Sequence, residues 1–196
     1  MRSKIITFAL VICVVGLSFT EKTTASHCHI RALTDQIAAQ EQKPERSSKP
    51  LSENALNAEL KSARGPVFRL SDYKGSVLVL SFWATWCLPC KFQTPLLVKL
   101  QTEFRSEGVK VVELTTEDPV VSAKNVRLWM RTYKVNYRVG WAPEDLFKAL
   151  ALESTAIPQV FIVDRNGNIL KRFIGFSRDK TPSVMKQAIE DVLESQ

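Results

Sequence analysis

The stretch "SVLVLSF" at 76–82 is a nearly unbroken apolar run of strand length. A strand with one wet face alternates polar and apolar side chains, whereas a strand covered on both faces is apolar throughout. The run therefore predicts a central strand in a sheet with packing on either side. Directly after it comes "WATWCLPC" at 83–90, so two cysteines two residues apart sit where this strand must end.

The remaining pattern alternates in the same way. "PVFRL" at 66–70 reads as a first short strand closed by the turn "SDYKG". Phe92, Leu96, Leu97, Leu100 and Phe104 recur at helical spacing up to Gly108, with Pro95 expected to kink the helix without ending it. "VKVVELT" at 109–115 is a second strand, and Val126, Trp129, Met130 and Tyr133 give "SAKNVRLWMRTY" a helical face. "YRVG" reads as a short strand and "PEDLFKALAL" as a short helix opened by a proline and two acids. "QVFIVD" and "NILKRFIG" form a hairpin around "DRNGN". Thr181 as N-cap and Pro182 in the first turn open a last helix that ends near Leu193. Strands alternating with helices define an α/β class.

A chain of 196 residues, 45% hydrophobic and 24% charged, holds one domain with an extension. The extension is N-terminal. Arg2 and Lys4 precede an apolar run from Ile5 to Phe19, followed by small residues through Ser26. At 15 residues the run is short for a bilayer span of about 20, so residues 1–25 read as a secretory signal peptide, with an uncleaved anchor as the alternative. Residues 26–52 are polar, rich in Gln, Glu, Lys, Ser and Pro, and read as a flexible stalk. Residues 53–196 are the expected folded domain.

The formal charge is +7, and loss of Arg2, Lys4 and Lys22 with Glu21 lowers it by two. Lys and Arg are scattered rather than gathered on one element, which argues for a solvated basic surface and against nucleic acid as a partner.

Export decides how the cysteines are read, because disulfides persist outside the cytosol. Cys13 leaves with the signal, and Cys28, between His27 and His29 on the stalk, has no evident partner. Cys87 starts a helix, where backbone N–H groups and the positive end of the helix dipole favour thiolate over thiol. Cys87 is accordingly the expected nucleophile, and Cys90, one turn on, the resolving thiol. Zinc needs four ligands, and no second Cys-x-x-Cys exists, so no metal is expected. A purely structural disulfide across three residues removes little chain entropy and so stabilises little. The redox-active Cys87–Cys90 disulfide stands in place of any separate cofactor.

"FWATWCLPCKFQTP" resembles the active-site segment of the thioredoxin superfamily, in particular the exported TlpA/ResA-like thiol-disulfide oxidoreductases. The likeness runs from about Pro66 to the C-terminus and takes in "STAIPQVFIVDRNGNIL", which is similar to that family's cis-proline segment and following hairpin. It implies a thioredoxin-like fold, a central mixed sheet flanked by helices, with a TlpA-like α/β insert before the cis-proline hairpin. It implies that Pro158 follows a cis peptide bond after Ile157, beside the two sulfurs, leaving the Ile157 backbone free to pair with a docked substrate. Trp83 is assigned to the core and Trp86, next to Cys87, to the contact surface.

Two positions depart from the family. Gln93 stands where many members have glutamate, and Ser81 stands where thioredoxin proper has a buried acid. Proton transfer then falls to water, Glu113, Glu117 or Asp118. The activity implied is reduction of disulfides in selected proteins, with cytochrome c maturation or metal-site assembly as examples. An unidentified membrane electron donor and a possible N-terminal membrane tether complete the expected partners. The alternatives are a disulfide-forming oxidase and a redox-inactive, tethered binding module.

Overall fold

The computed structural model describes residues 49–151 and 154–195. The expected signal segment, most of the stalk, and Cys13, His27, Cys28 and His29 lie outside the described residues. The apolar run becomes strand β1 (Val77–Trp83), buried at all seven positions. A helix of five residues, α1 (Glu53–Asn57), precedes it in the chain, its first turn capped by Ser52 accepting from the Ala55 N–H at 3.2 Å. After β1 come α2 (Leu88–Glu103), β2 (Val109–Thr115), α3 (Pro119–Thr132), β3 (Arg138–Trp141), α4 (Glu144–Ala151), β4 (Gln159–Val163), β5 (Ile169–Ile174) and α5 (Thr181–Glu194).

The five strands form one mixed sheet in the order β3-β2-β1-β4-β5. β1, β2 and β3 run parallel, and β4 and β5 are antiparallel to their neighbours. β1 is central, which is why its sequence is apolar on both faces. Leu78, Leu80 and Phe82 face one layer with Leu56, Leu60, Phe68, Leu146 and Leu150. Val77 and Val79 face the other, against Leu97 and Leu100 of α2 and Met185, Ile189 and Val192 of α5. Each fully buried side chain of this size stabilises the fold by roughly 1.5–3 kcal/mol. A third apolar cluster gathers Trp83, Cys87, Cys90, Trp129, Met130 and Trp141 at the C-terminal end of β1. The segment between β2 and β4 holds α3, β3 and α4, with β3 added to the sheet beside β2.

Residues 49–63 cross one face of the sheet as a strap. At one end the Lys49 carbonyl accepts from the Ile169 N–H at 3.1 Å and the Leu51 N–H donates to the Gly167 carbonyl at 2.9 Å. At the other, the Ala63 N–H donates to the Val139 carbonyl at 2.9 Å, and Trp141 N–H to the Lys61 carbonyl at 3.1 Å, so edge strand β3 is covered. Gly140 makes this crossing possible, since a Cβ there would lie 2.6 Å from the Lys61 carbonyl oxygen.

Three local expectations are corrected. "PVFRL" is no strand: Phe68 makes a single bridge to Leu60, and Leu70–Tyr73 is a 3-10 turn, because no longer partner segment lies alongside. α2 continues through Pro95 but ends at Glu103, followed by a 3-10 turn, Arg105–Glu107, and by Gly108 at φ 84°. Thr181 is the first residue of α5 rather than its N-cap, and its hydroxyl accepts from the Ser177 N–H at 2.9 Å.

Candidate active site at the start of α2

β1 delivers the chain to its C-terminal end, where the Cys87 N–H closes a tight turn on the Ala84 carbonyl at 3.1 Å. Cys87 is the N-cap of α2, and its sulfur accepts from the Cys90 N–H at 3.2 Å. Pro89 sits in the first turn, where its missing N–H costs no helix bond. The two cysteines are joined as a disulfide with a Cα separation of 5.3 Å.

The turn before Cys87 is held from the side. Glu117, just after β2, accepts from the Thr85 N–H at 2.6 Å, the Thr85 hydroxyl at 2.8 Å and the Thr115 hydroxyl at 3.0 Å. Opposite, the Ile157–Pro158 peptide bond is cis, and the Ile157 carbonyl oxygen lies 3.8 Å from the Cys87 sulfur. Gln159 braces that loop from below, donating to the Ser154 and Ala156 carbonyls at 2.7 Å each. Trp86 is 71% exposed and Leu88 60%, so apolar surface flanks a disulfide that is itself buried. Trp83 is fully buried, with its ring 4.5 Å from that of Trp129.

A buried polar cluster begins one helical turn from Cys90. Gln93, one turn along α2, donates to the Ser81 hydroxyl at 3.0 Å. Ser81 is the register partner of Glu113 on β2. The Tyr137 hydroxyl donates to Glu113 Oε2 at 2.8 Å, and Glu113 Oε1 has no partner among the described residues, nor do Gln93 Oε1 and Trp83 Nε1. Thr94 donates to the Cys90 carbonyl at 3.0 Å and accepts from the Trp129 indole at 3.3 Å. Burial pushes the Glu113 carboxyl up to about 7, against the Tyr137 hydrogen bond and the neighbouring Ser81 hydroxyl, which favour its charged form. Burial, and then the neighbouring Glu113, hold Tyr137 well above the usual phenol range.

The structure thus brings Cys87, Cys90, Trp86, Ile157 and Pro158 to one end of the sheet. Of the three acids considered for proton transfer, Glu113 lies under the helix, Glu117 clamps the Thr85 turn, and Asp118 caps α3 by accepting from the Val120 and Val121 N–H groups at 2.8 and 3.0 Å. Thr85, Gln159 and Tyr137 escaped the sequence reading. Glu113 carried a signal, an acid at an inward position of an apolar strand. Among the described residues no group of three His, Cys, Asp or Glu side chains is placed to hold a metal.

A disulfide spanning three residues at a helix start, on a thioredoxin-like fold, defines the thiol-disulfide oxidoreductase class. Residues 51–172 match the model of the AhpC/TSA family, and the chain belongs to that family. It is similar to the thiol-disulfide oxidoreductase ResA of Bacillus subtilis (strain 168), 30% identical over 122 residues that cover 62% of this chain and 66% of that protein. The ResA of Geobacillus kaustophilus is 29% identical over 136 residues, 69% of this chain and 72% of that one. Among solved structures, a thiol:disulfide interchange protein DsbE from Chlorobium tepidum superposes with a TM-score of 0.65 at 25% identity, covering 77% of this chain and 99% of the other.

Proposed function

We propose that the chain is an exported enzyme that reduces disulfides in selected partner proteins. Cys87 attacks the partner disulfide as a thiolate, and Cys90 resolves the mixed disulfide, leaving the partner reduced and the Cys87–Cys90 disulfide closed. The observation that carries this reading is the placement of the Cys87 sulfur as the cap of α2, accepting a backbone N–H where the helix dipole is positive. Trp86 and Leu88 supply an apolar contact surface, and the Ile157 backbone lies where a substrate chain can pair. The likeness to ResA supports thiol-disulfide exchange with protein substrates; thiols awaiting haem or metal attachment are the substrates proposed, with a membrane electron donor that returns the pair to the dithiol. Export rests on the N-terminal sequence, with or without a retained tether. Among the described residues no helix is long and apolar enough to cross a membrane.

The test is capture. In the native host, Cys90→Ala leaves the mixed disulfide unresolved, so partners stay linked to Cys87 on non-reducing gels and are released by dithiothreitol. Cys87→Ala in the same background captures none. Equal recovery from both variants removes Cys87 from the role of nucleophile. No turnover of insulin with dithiothreitol, together with partner binding unchanged in Cys87→Ser, removes the reductase reading and leaves a binding module.

A further inference from the structure

Three polar atoms of the described core lack partners, and all three belong to side chains gathered on the α2 face of the sheet. Trp83 and Ser81 alternate on β1, Glu113 is in register with Ser81, and Gln93 bonds Ser81 from α2. A buried polar atom left unpaired forfeits its hydrogen bond to water without replacement, so such a cluster calls for a reason. Glu113 is fully buried, yet among the described residues no cation pairs with it: Tyr137 donates to it from the segment before β3, Ser81 lies beside it in register on β1, and Gln93, one turn from Cys90 on α2, reaches Ser81. An apolar residue would fill this inward position of β2 without any of these costs.

We propose that Glu113 is the proton acceptor for Cys90 during resolution of the mixed disulfide. The inference rests on the exchange reaction described above and deepens it. When Cys90 attacks the Cys87 sulfur, its S–H proton passes to the free Oε1 of Glu113. The Cys90–Cys87 bond then forms as the Cys87–partner bond breaks, and the electron pair leaves on the partner's thiolate. When an external dithiol reopens the disulfide, the Glu113 carboxylic acid returns the proton to the departing Cys90 thiolate. Glu113 changes charge without exposure, and its carboxyl titrates near the pH at which the reaction must run.

A two-phase assay tests this on the full chain. Reduced protein is mixed with an aromatic disulfide whose thiolate is coloured: the first release reports attack by Cys87, and the second reports resolution by Cys90. The wild-type second phase is expected to accelerate through an inflection near pH 7. In Glu113→Gln, which keeps an acceptor for Tyr137, the first phase is unchanged and the second is slower at pH 7 by about 10²-fold. Its inflection moves toward an ordinary thiol near pH 8.5. Tyr137→Phe removes a hydrogen bond that favours the carboxylate, so it moves the wild-type inflection to higher pH without erasing it. A second phase in Glu113→Gln that matches wild type in rate and pH profile overturns the proposal and leaves the reductase reading intact. A wild-type protein with no first phase overturns both.

Discussion

Glu113 also couples the stability of the fold to pH, independently of turnover. The unfolded chain releases this proton near the ordinary carboxylate value of 4.5, and the folded chain only near 7. Between those values the folded state holds more protons than the unfolded one, so stability falls as pH rises. The contribution is complete below pH 4.5, is lost through pH 7 and is flat above it, about 3 kcal/mol in all. Urea unfolding from pH 4 to 8 should therefore show wild type losing stability relative to Glu113→Gln across this window, and a constant difference between the two would show that Glu113 is ionised when folded. Burial, and after it the neighbouring Glu113, hold Tyr137 as a neutral phenol, and its hydroxyl donates to Glu113 Oε2.

At the level of elements, the site depends on contacts between segments far apart in sequence. Glu117 joins the end of β2 to the turn that ends β1, satisfying three donors at once. Glu117→Ala should lower stability by about 1–3 kcal/mol in urea titrations and should speed hydrogen exchange at the Thr85 amide, while amides in α5 keep their protection. Equal exchange at Thr85 in both proteins would mean that another group holds the turn. β1, β2 and the β4–β5 hairpin were legible because their covered faces write continuous apolar runs into the sequence. The Cys87 helix was legible because a strand-length run stops four residues before the first cysteine and helical spacing begins after the second. α1 and the strap were not, since five residues hold too little periodicity and single bridges at Leu60 and Ser62 leave no run to recognise. The roles of Glu113, Glu117 and Asp118 could not be separated on sequence, because an acid under a helix, an acid in a turn and an acid on a helix cap differ in burial rather than in type. Gln159 was hidden for the same reason: its partners, Ser154 and Ala156, are backbone carbonyls, which no side-chain pattern announces.

For the whole molecule, the strap is what closes the sheet. It buries Leu51, Leu56 and Leu60 against the face opposite α2 and covers edge strand β3, which would otherwise offer unpaired backbone to another chain. Gly140→Ala should push the strap from β3 and cost about 1–3 kcal/mol, read as a lower urea midpoint, with greater self-association at high concentration. A midpoint equal to wild type would mean that the Lys61 backbone yields freely. The strap also fixes where the chain enters the fold. Lys49 pairs with Ile169, which opposes Val163, which opposes Leu78 at the start of β1, whereas Cys87 lies past its end. Seven residues of strand put roughly 20 Å between these two poles. Lys49 is thus the butt of the tool and the turn at Cys87 its working edge, set at opposite ends of the same strand.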